Sequence, residues 1–423
     1  MVSEGLFDFV CSELEEGSLT MSRDVTSNIL KLYVIKISKW LMITVPIVFL
    51  FYRENGLGTR DLFLLKAVYS FAIVVMEIPS GYFGDVWGRK TSLVIGSVLG
   101  AVGFGLYCVS TGFWGFLVCE VVLGVGQSFI SGSDSALLYD TLQEGGQGEA
   151  YLKEEGRLVS IGNYAEAVAA PIGVALAALS LRTPFYFQAL VAFSAVPASL
   201  LLFEPKRRKI TSKGNVTQVF QIIRYALTRN TGLKWSIIYS SVIGTATLTM
   251  AWLIQPYFVF LAVPLALYGL FLPALNLTTG SVSMHAWKVE KSLGRDRTVL
   301  FIAVAIASIY LALSFFSTLW AVGLLFLFYT VRGVATPVLR NYINASTPSE
   351  IRATVLSIRS LIIRLAFVVI GPFLGWYADR SGMPATLFAG GLVFLVAGVW
   401  SGLQLVKETT GHSVQPFLAE ENT

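Results

Sequence analysis

Four acids and six bases stand inside long apolar stretches of this chain. The acids are Glu77, Glu120, Asp134 and Glu166; the bases are Lys36, Lys39, Lys66, Arg332, Arg359 and Arg364. An ionisable group in such surroundings costs several kcal/mol unless it is paired or faces water, so each is a functional candidate. A carboxyl in an apolar medium can exchange a proton near neutral pH. Glu120 and Glu166 are the first candidates for that chemistry, with Asp134 behind them. For Glu166 the competing reading is an ion pair with Arg359 or Lys36. Glu77 and Arg364 read as structural pairing groups. Lys36 and Lys39 lie one turn apart and so share a helix face, which suits an anionic group; snorkelling explains Lys36 equally well. For Arg332 the alternative is a pair with Asp134 or a backbone carbonyl.

The elements that carry these residues are membrane-spanning helices. The 423 residues are 55% hydrophobic and 13% charged, with mean hydropathy +0.68. Soluble domains carry about 25% charge. A bilayer core needs about 20 helical residues per crossing, and backbone groups in lipid must be paired internally. Twelve segments qualify: 29–51, 61–83, 91–110, 113–138, 157–180 and 184–203, then 233–258, 263–287, 298–315, 318–342, 352–378 and 384–406. The least marked turn lies within 251–272, between Pro256 and Pro264. Pro171, Pro256 and Pro273 are expected to kink their helices.

The basic residues sit in short loops, so the net charge of +5 is a topology signal and not a nucleic-acid surface. One loop set holds Arg89, Lys90, Lys153, Arg157, the 206–209 cluster, Lys288, Lys291 and Arg295. The alternate set holds only Arg53, Arg60, Arg182 and Arg380. The first set is expected in the cytoplasm, and both termini with it. Residues 1–27 contain Glu4, Asp8, Glu13, Glu15 and Glu16 and no basic start, so they read as a cytoplasmic tail and not a secretory signal. The domains expected are that tail, a first bundle at 28–203, a linker at 204–232 with an amphipathic surface helix, a second bundle at 233–406 and a tail at 407–423. Cys11, Cys108 and Cys119 form no disulfide framework, and His285 and His412 form no metal box. No cofactor is expected.

The segment Gly81-Tyr-Phe-Gly84-Asp85-Val-Trp-Gly88-Arg89-Lys90 joins spans two and three. Its glycines permit a tight turn, and Asp85 suits a helix N-terminus. It resembles the loop signature of the major facilitator superfamily at every fixed position. Span count, central linker and cytoplasmic termini extend that resemblance over nearly the whole chain. The pattern returns as Gly375-Trp-Tyr-Ala378-Asp379-Arg-Ser-Gly382 after span eleven, in keeping with a repeated three-helix unit. A worn trace, Gly294-Arg295, stands between spans eight and nine. Two departures weaken a drug-antiporter reading: Glu120-Val-Val-Leu-Gly124-Val-Gly126 puts an acid where proton-coupled members often have arginine, and Ala170-Pro171-Ile172-Gly173 is a fragment of the antiporter element. Glu77-Ile-Pro-Ser-Gly81, Ser131-Gly132-Ser-Asp134 and Arg352-Ala-Thr-Val-Leu-Ser357 resemble a bacterial efflux-type permease branch.

The resemblance implies an all-α fold of twelve helices in two pseudo-symmetric six-helix bundles, with spans one, four, seven and ten lining a cavity. Lys36, Lys39, Gln127, Ser131 and Arg332 then become substrate candidates, and Gly81, Gly84, Asp85, Gly88, Arg89 and Lys90 gate candidates. Asp85 is expected to face the start of span eleven, around Ser349 to Arg352, where Thr347-Pro348-Ser349-Glu350 forms a capping box. Tyr239, Ser240, Thr245 and Thr249 in span seven and Asn276, Thr278 and Thr279 in span eight suit either substrate or helix contacts. The expected activity is secondary transport of a small organic solute with an anionic group, by proton-coupled export from a monomer in the cytoplasmic (inner) membrane. The rivals are an importer or facilitator of a carboxylated metabolite and an integral-membrane enzyme. The second lacks any nucleophile elbow or metal motif.

Overall fold

The protein, seen in a computed structural model, is described over residues 23–205, 221–348 and 351–409. Its long elements are helices: α1 (Arg23–Trp40), α2 (Val48–Glu54), α3 (Thr59–Trp87), α4 (Arg89–Val109), α5 (Gly112–Ile130), α6 (Ser133–Glu144), α7 (Tyr151–Ala177) and α8 (Thr183–Leu200). After the linker come α9 (Thr231–Phe260), α10 (Leu265–Ser283), the short α11 (Ala286–Leu293), α12 (Arg295–Phe315), α13 (Val322–Ala345) and α14 (Arg352–Thr409). Among the described residues, ten helical stretches are long and apolar enough to cross a bilayer. The expected turn near 261 is present: α9 and α10 meet at Ala262, whose φ is +52°. Residues 206–220 of the expected surface helix, Ser349 and Glu350 of the expected capping box, and most of both tails lie outside the described residues.

Two expected spans are interrupted. The first stops at Trp40, passes through an irregular stretch and a 3-10 turn at Val45–Ile47, and resumes as α2. Pro46 has no N–H to continue the ladder. The amide N–H of Ile43, which reaches the Leu41 carbonyl at 3.1 Å, also donates to Gln188 Oε1 at 2.7 Å. The fourth stops at Ile130 and resumes at Ser133, with Gly132 at φ +77°. Carbonyls near that break are met by neighbouring hydroxyls. Ser80 Oγ donates to the Ser128 carbonyl at 3.0 Å and Ser92 Oγ to the Phe129 carbonyl at 2.9 Å. In lipid this is what allows a helix to break.

Packing draws α4 and α5 together at Gly96 and Gly126, where a side chain on either would strike the other's carbonyl. Without a hydrophobic force between helices, small residues let backbones approach. Buried tyrosines fasten the second half. Tyr310 donates to the Ala246 carbonyl at 2.8 Å and Tyr239 to that of Val299 at 2.5 Å.

The two loop patterns close on the same geometry. Gly88 and Gly382 both hold positive φ, +116° and +83°, conformations that glycine alone enters freely. Gly382 therefore divides α14, whose 58 residues would otherwise extend about 87 Å at ~1.5 Å per residue. Asp379 accepts the amides of Thr59 and Arg60 at 2.9 and 2.8 Å, capping α3. Gln255 of α9 clasps the broken first span: its Nε2 donates to the Val45 carbonyl at 2.6 Å and its Oε1 accepts from Phe49 N at 3.1 Å.

Candidate functional site

A cavity of about 290 Å³ lies against the break in the first span. Small-molecule pockets occupy about 300–1,000 Å³, so this one suits a compact ligand. Met42, Thr44 and Val45 of the break line it, with Lys39 of α1, Lys66 and Tyr69 of α3, Ser97 and Tyr107 of α4, Glu120 and Gln127 of α5, and Trp252 of α9. Breaking a span at a ligand site is a recurrent solution in transporters, because freed backbone can face the cavity.

Glu120 is 1% exposed and its Oε1 is saturated. Lys66 Nζ pairs with that oxygen, Tyr107 donates to it at 2.6 Å and Tyr52 at 3.0 Å. The two tyrosine hydroxyls also share a hydrogen bond of 2.5 Å. Phe116 and Phe185 pack on Tyr107, with centroids 5.5 and 5.1 Å away. The Lys66 ammonium lies 4.9 Å from the Trp252 ring. All three hydrogen bonds to the carboxylate fall on Oε1, and none among the described residues on Oε2. Tyr69 and Cys119 complete the titratable groups around Glu120.

The expected cations separate. Lys36 pairs with Asp134 at 3.1 Å, so Asp134 is taken by Lys36 and not by Arg332. Lys39 makes no hydrogen bond or ion pair among the described residues; Asp134, Lys36 and Arg364 are the charges around it. Arg332 lies over Tyr329 with 5.2 Å to the ring centroid. Glu166 is exposed, and its charged neighbour is Arg332, not Arg359 or Lys36. The guanidinium of Arg359 donates to Ser240 Oγ at 2.5 Å. Glu77 has Arg364 as its charged neighbour. The cavity thus joins Lys39, Gln127 and Glu120, whereas Lys36, Ser131, Asp134, Glu166 and Arg332 do not line it.

The loop signature forms a separate cluster at the other end of α3. Arg89 bridges Asp85 at 3.2 Å and Asp140 of α6 at 3.1 Å. Glu204 caps α4 by accepting the amides of Arg89 and Lys90 at 3.0 and 2.6 Å. A side chain on Gly84 would touch Ser133 Oγ and Ser92, so the signature abuts the break in the fourth span. Gly81 has open space around it. Of the stretch expected to face Asp85, Ser349 and Glu350 lie outside the described residues, and Arg352 donates to the Thr347 carbonyl at 3.5 Å. Sequence reasoning missed the pairing of Lys66 with Glu120 and the parts played by Tyr52, Tyr107 and Trp252. The only available signal was the opposite charge of two groups at membrane depth.

Residues 39–367 match the profile of the Major Facilitator Superfamily. The chain belongs to that family. With ten apolar helical stretches of membrane-crossing length among the described residues, it is a multi-pass membrane member of that family. Over 208 residues it is 24% identical to the quinolone resistance protein NorA of Staphylococcus aureus (strain MSSA476), covering 49% of this chain and 50% of NorA. The chain thus spans about half the length of that relative. It is 19% identical over 369 residues to the MFS-type transporter MJ1560 of Methanocaldococcus jannaschii, covering 86% of this chain and 93% of that one. In structure it resembles the nucleoside transporter NupG, with a TM-score of 0.72 at 13% identity over 92% of this chain and 100% of NupG. The D-xylose-proton symporter matches with a TM-score of 0.71 at 15% identity, over 92% and 100%. At such identities the structural likeness speaks for the fold alone.

Proposed function

We propose that this member of the family exports a small organic solute with an anionic group, in exchange for protons. The observation that carries the reading is one cavity holding both Lys39, a cation with no carboxylate in ion-pair reach among the described residues, and Glu120, a carboxylate with one unoccupied oxygen. Lys39 supplies the counter-charge for the solute, aided by Gln127. Glu120 takes and releases the coupling proton on Oε2, with Glu166 and Asp134 as the other candidates. Lys36, Ser131 and Arg332 stand further along the proposed path.

The scaffold is proposed as twelve spans, obtained by dividing α14 at Gly382 and counting Thr183–Leu200 as a crossing. They form two six-helix halves, 28–203 and 233–406, joined by the linker 204–232. Alternating access rocks these halves about the cavity. The loop charges favour the Asp85–Arg89 end and both tails, 1–27 and 407–423, in the cytoplasm of a cell bounded by this inner membrane. The Asp379 end then faces outward. Export is favoured by the likeness to a quinolone resistance protein. The surplus of basic groups equally fits import of a carboxylated metabolite, and direction separates the two.

The test is transport by the purified monomer in vesicles, with an imposed pH gradient and a panel of drugs and organic acids. Uphill movement of an anionic solute opposite to protons supports the reading. Glu120→Gln should abolish uphill movement and leave exchange of a purely anionic solute intact. If both Glu120→Gln and Glu166→Gln still accumulate solute, neither carries the proton and Asp134 is next. Lys39→Gln should weaken binding of acidic solutes about tenfold or more, and Lys39→Arg should keep part of the affinity, because charge persists while geometry changes.

A further inference from the structure

The cavity is lined by two groups of opposite charge, Lys39 and Glu120. This inference rests on the reading of Lys39 as an anion site and extends it. Lys39 has no hydrogen bond or ion pair among the described residues. Ser97 lines the same cavity, is 2% exposed, and its Oγ has no hydrogen-bond partner among the described residues. Donors without acceptors are costly to bury, so these two suit an acceptor such as a carboxylate. Glu120 supplies the opposite charge. Its carboxylate has Lys66, Tyr107 and Tyr52 all on Oε1, and Oε2 without a described hydrogen bond. Trp252 is the wall contributed by the second half of the chain, and it already receives the Lys66 ammonium at 4.9 Å. An aromatic face in that position also receives a ligand ring or cation.

We propose that the cavity binds an amphoteric aromatic solute, its carboxylate on Lys39 and its protonated amine on Glu120 Oε2, with its ring against Trp252. Lys66 does not fill the second role, because it is already committed to Oε1. The same oxygen holds either a proton or an ammonium N–H, not both. Solute and proton therefore displace each other, which is the linkage an exchanger requires. The groups that face this oxygen's carboxylate are Lys66 and Tyr69 of α3, Tyr52 of α2, Tyr107 of α4 and Cys119 of α5.

The experiment is calorimetric titration of the purified full-length chain with four probes on one ring. They are para-(aminomethyl)benzoic acid, para-toluic acid, para-methylbenzylamine and para-methylbenzyl alcohol. The amphoteric probe should bind about tenfold or more tightly than either singly charged one, the scale of one hydrogen bond to a charged group. Glu120→Gln should erase its advantage over the toluate, and Lys39→Gln its advantage over the amine. Glu120→Gln strands Lys66, so Glu120→Gln with Lys66→Met provides a second, charge-balanced variant that should show the same loss. Equal binding of toluate and the amphoteric probe, or an advantage that survives both Glu120 variants, overturns the proposal. If toluate binding still depends on Lys39, the anion-site reading stands without it. Binding that is absent for all four probes at millimolar concentration, or indifferent to Lys39, overturns both.

Discussion

Glu120 presents its two oxygens to different surroundings. Oε1 sits among Lys66, Tyr107 and Tyr52 inside an aromatic shell, while Oε2 has no hydrogen bond among the described residues. The first arrangement keeps the carboxylate in place, and the second leaves it chemistry to do. Removing one partner of a buried ion pair costs about 3–5 kcal/mol, because the other charge stays uncompensated. Lys66→Met should therefore lower the thermal unfolding midpoint in detergent clearly, and adding Glu120→Gln should restore most of it. A double variant no more stable than Lys66→Met would mean that the pair is not what Lys66 contributes. Tyr107→Phe removes one of three donors and should cost about 1.5–3 kcal/mol, read by the same melt. Lys39 has no such partner to strand among the described residues, so Lys39→Gln should leave the melt unchanged while binding falls.

At the scale of elements, the breaks in the first and fourth spans and the two aspartates at loop patterns set the geometry. Ser80 and Ser92 supply hydroxyls to carbonyls beside the Ser131–Gly132 break. Replacing both by Ala should cost about 1–3 kcal/mol per orphaned carbonyl and speed amide exchange at 128–136; unchanged exchange would show that water or lipid serves those carbonyls equally well. Asp379 caps α3 where Gly375 lets α14 approach, since a side chain there would meet the Thr59 carbonyl at 2.9 Å and Arg60 Cα at 3.0 Å. Gly375→Leu should force this end apart, and Asp379→Ala should weaken it by about 0.5–2 kcal/mol as a lost cap. Both should raise labelling of a cysteine at Val48, a cavity residue, by a membrane-impermeant maleimide added from outside. No gain in labelling would mean that the clasp by Gln255 holds the end closed unaided.

For the whole molecule the proposed orientation is testable without any substrate. With Cys11, Cys108 and Cys119 replaced by Ala, single cysteines at Thr111 and Leu181 should be labelled by an impermeant reagent on intact cells. Cysteines at Lys90 and Gly146 should be labelled only after the membrane is opened. The opposite pattern inverts the assignment of the Asp379 end to the outside, and with it the direction inferred for closure. At the Asp379 end α14 holds α3 and α9 holds the first span: Asp379 to Thr59 and Arg60, and Gln255 to Val45 and Phe49. The proposed alternating access would require these contacts to open while the cavity stays intact, which the modest strength of each permits.

Hydropathy is a local quantity, so the sequence alone determined the membrane class, most helix positions, the loop signature and the roster of ionisable residues at depth. It also placed the turn between α9 and α10 and the second loop pattern ending at Gly382. The cost of burying a charge marks a residue as important but does not name its partner. Glu120 meets Lys66 across 54 positions and Tyr52 across 68, separations that no local pattern encodes. Facing is equally hidden. A helix turns about 100° per residue at ~3.6 residues per turn, so small errors in depth or register rotate a side chain away from the cavity. That is why Gln127 lines it and Ser131, one turn on and at the break, does not. Only the packed helices decided that Lys36 is neutralised by Asp134 and that, among the described residues, Lys39 has no ion pair and Glu120 keeps one oxygen without a hydrogen bond. Each depends on which helix faces lie within a few ångströms of one another.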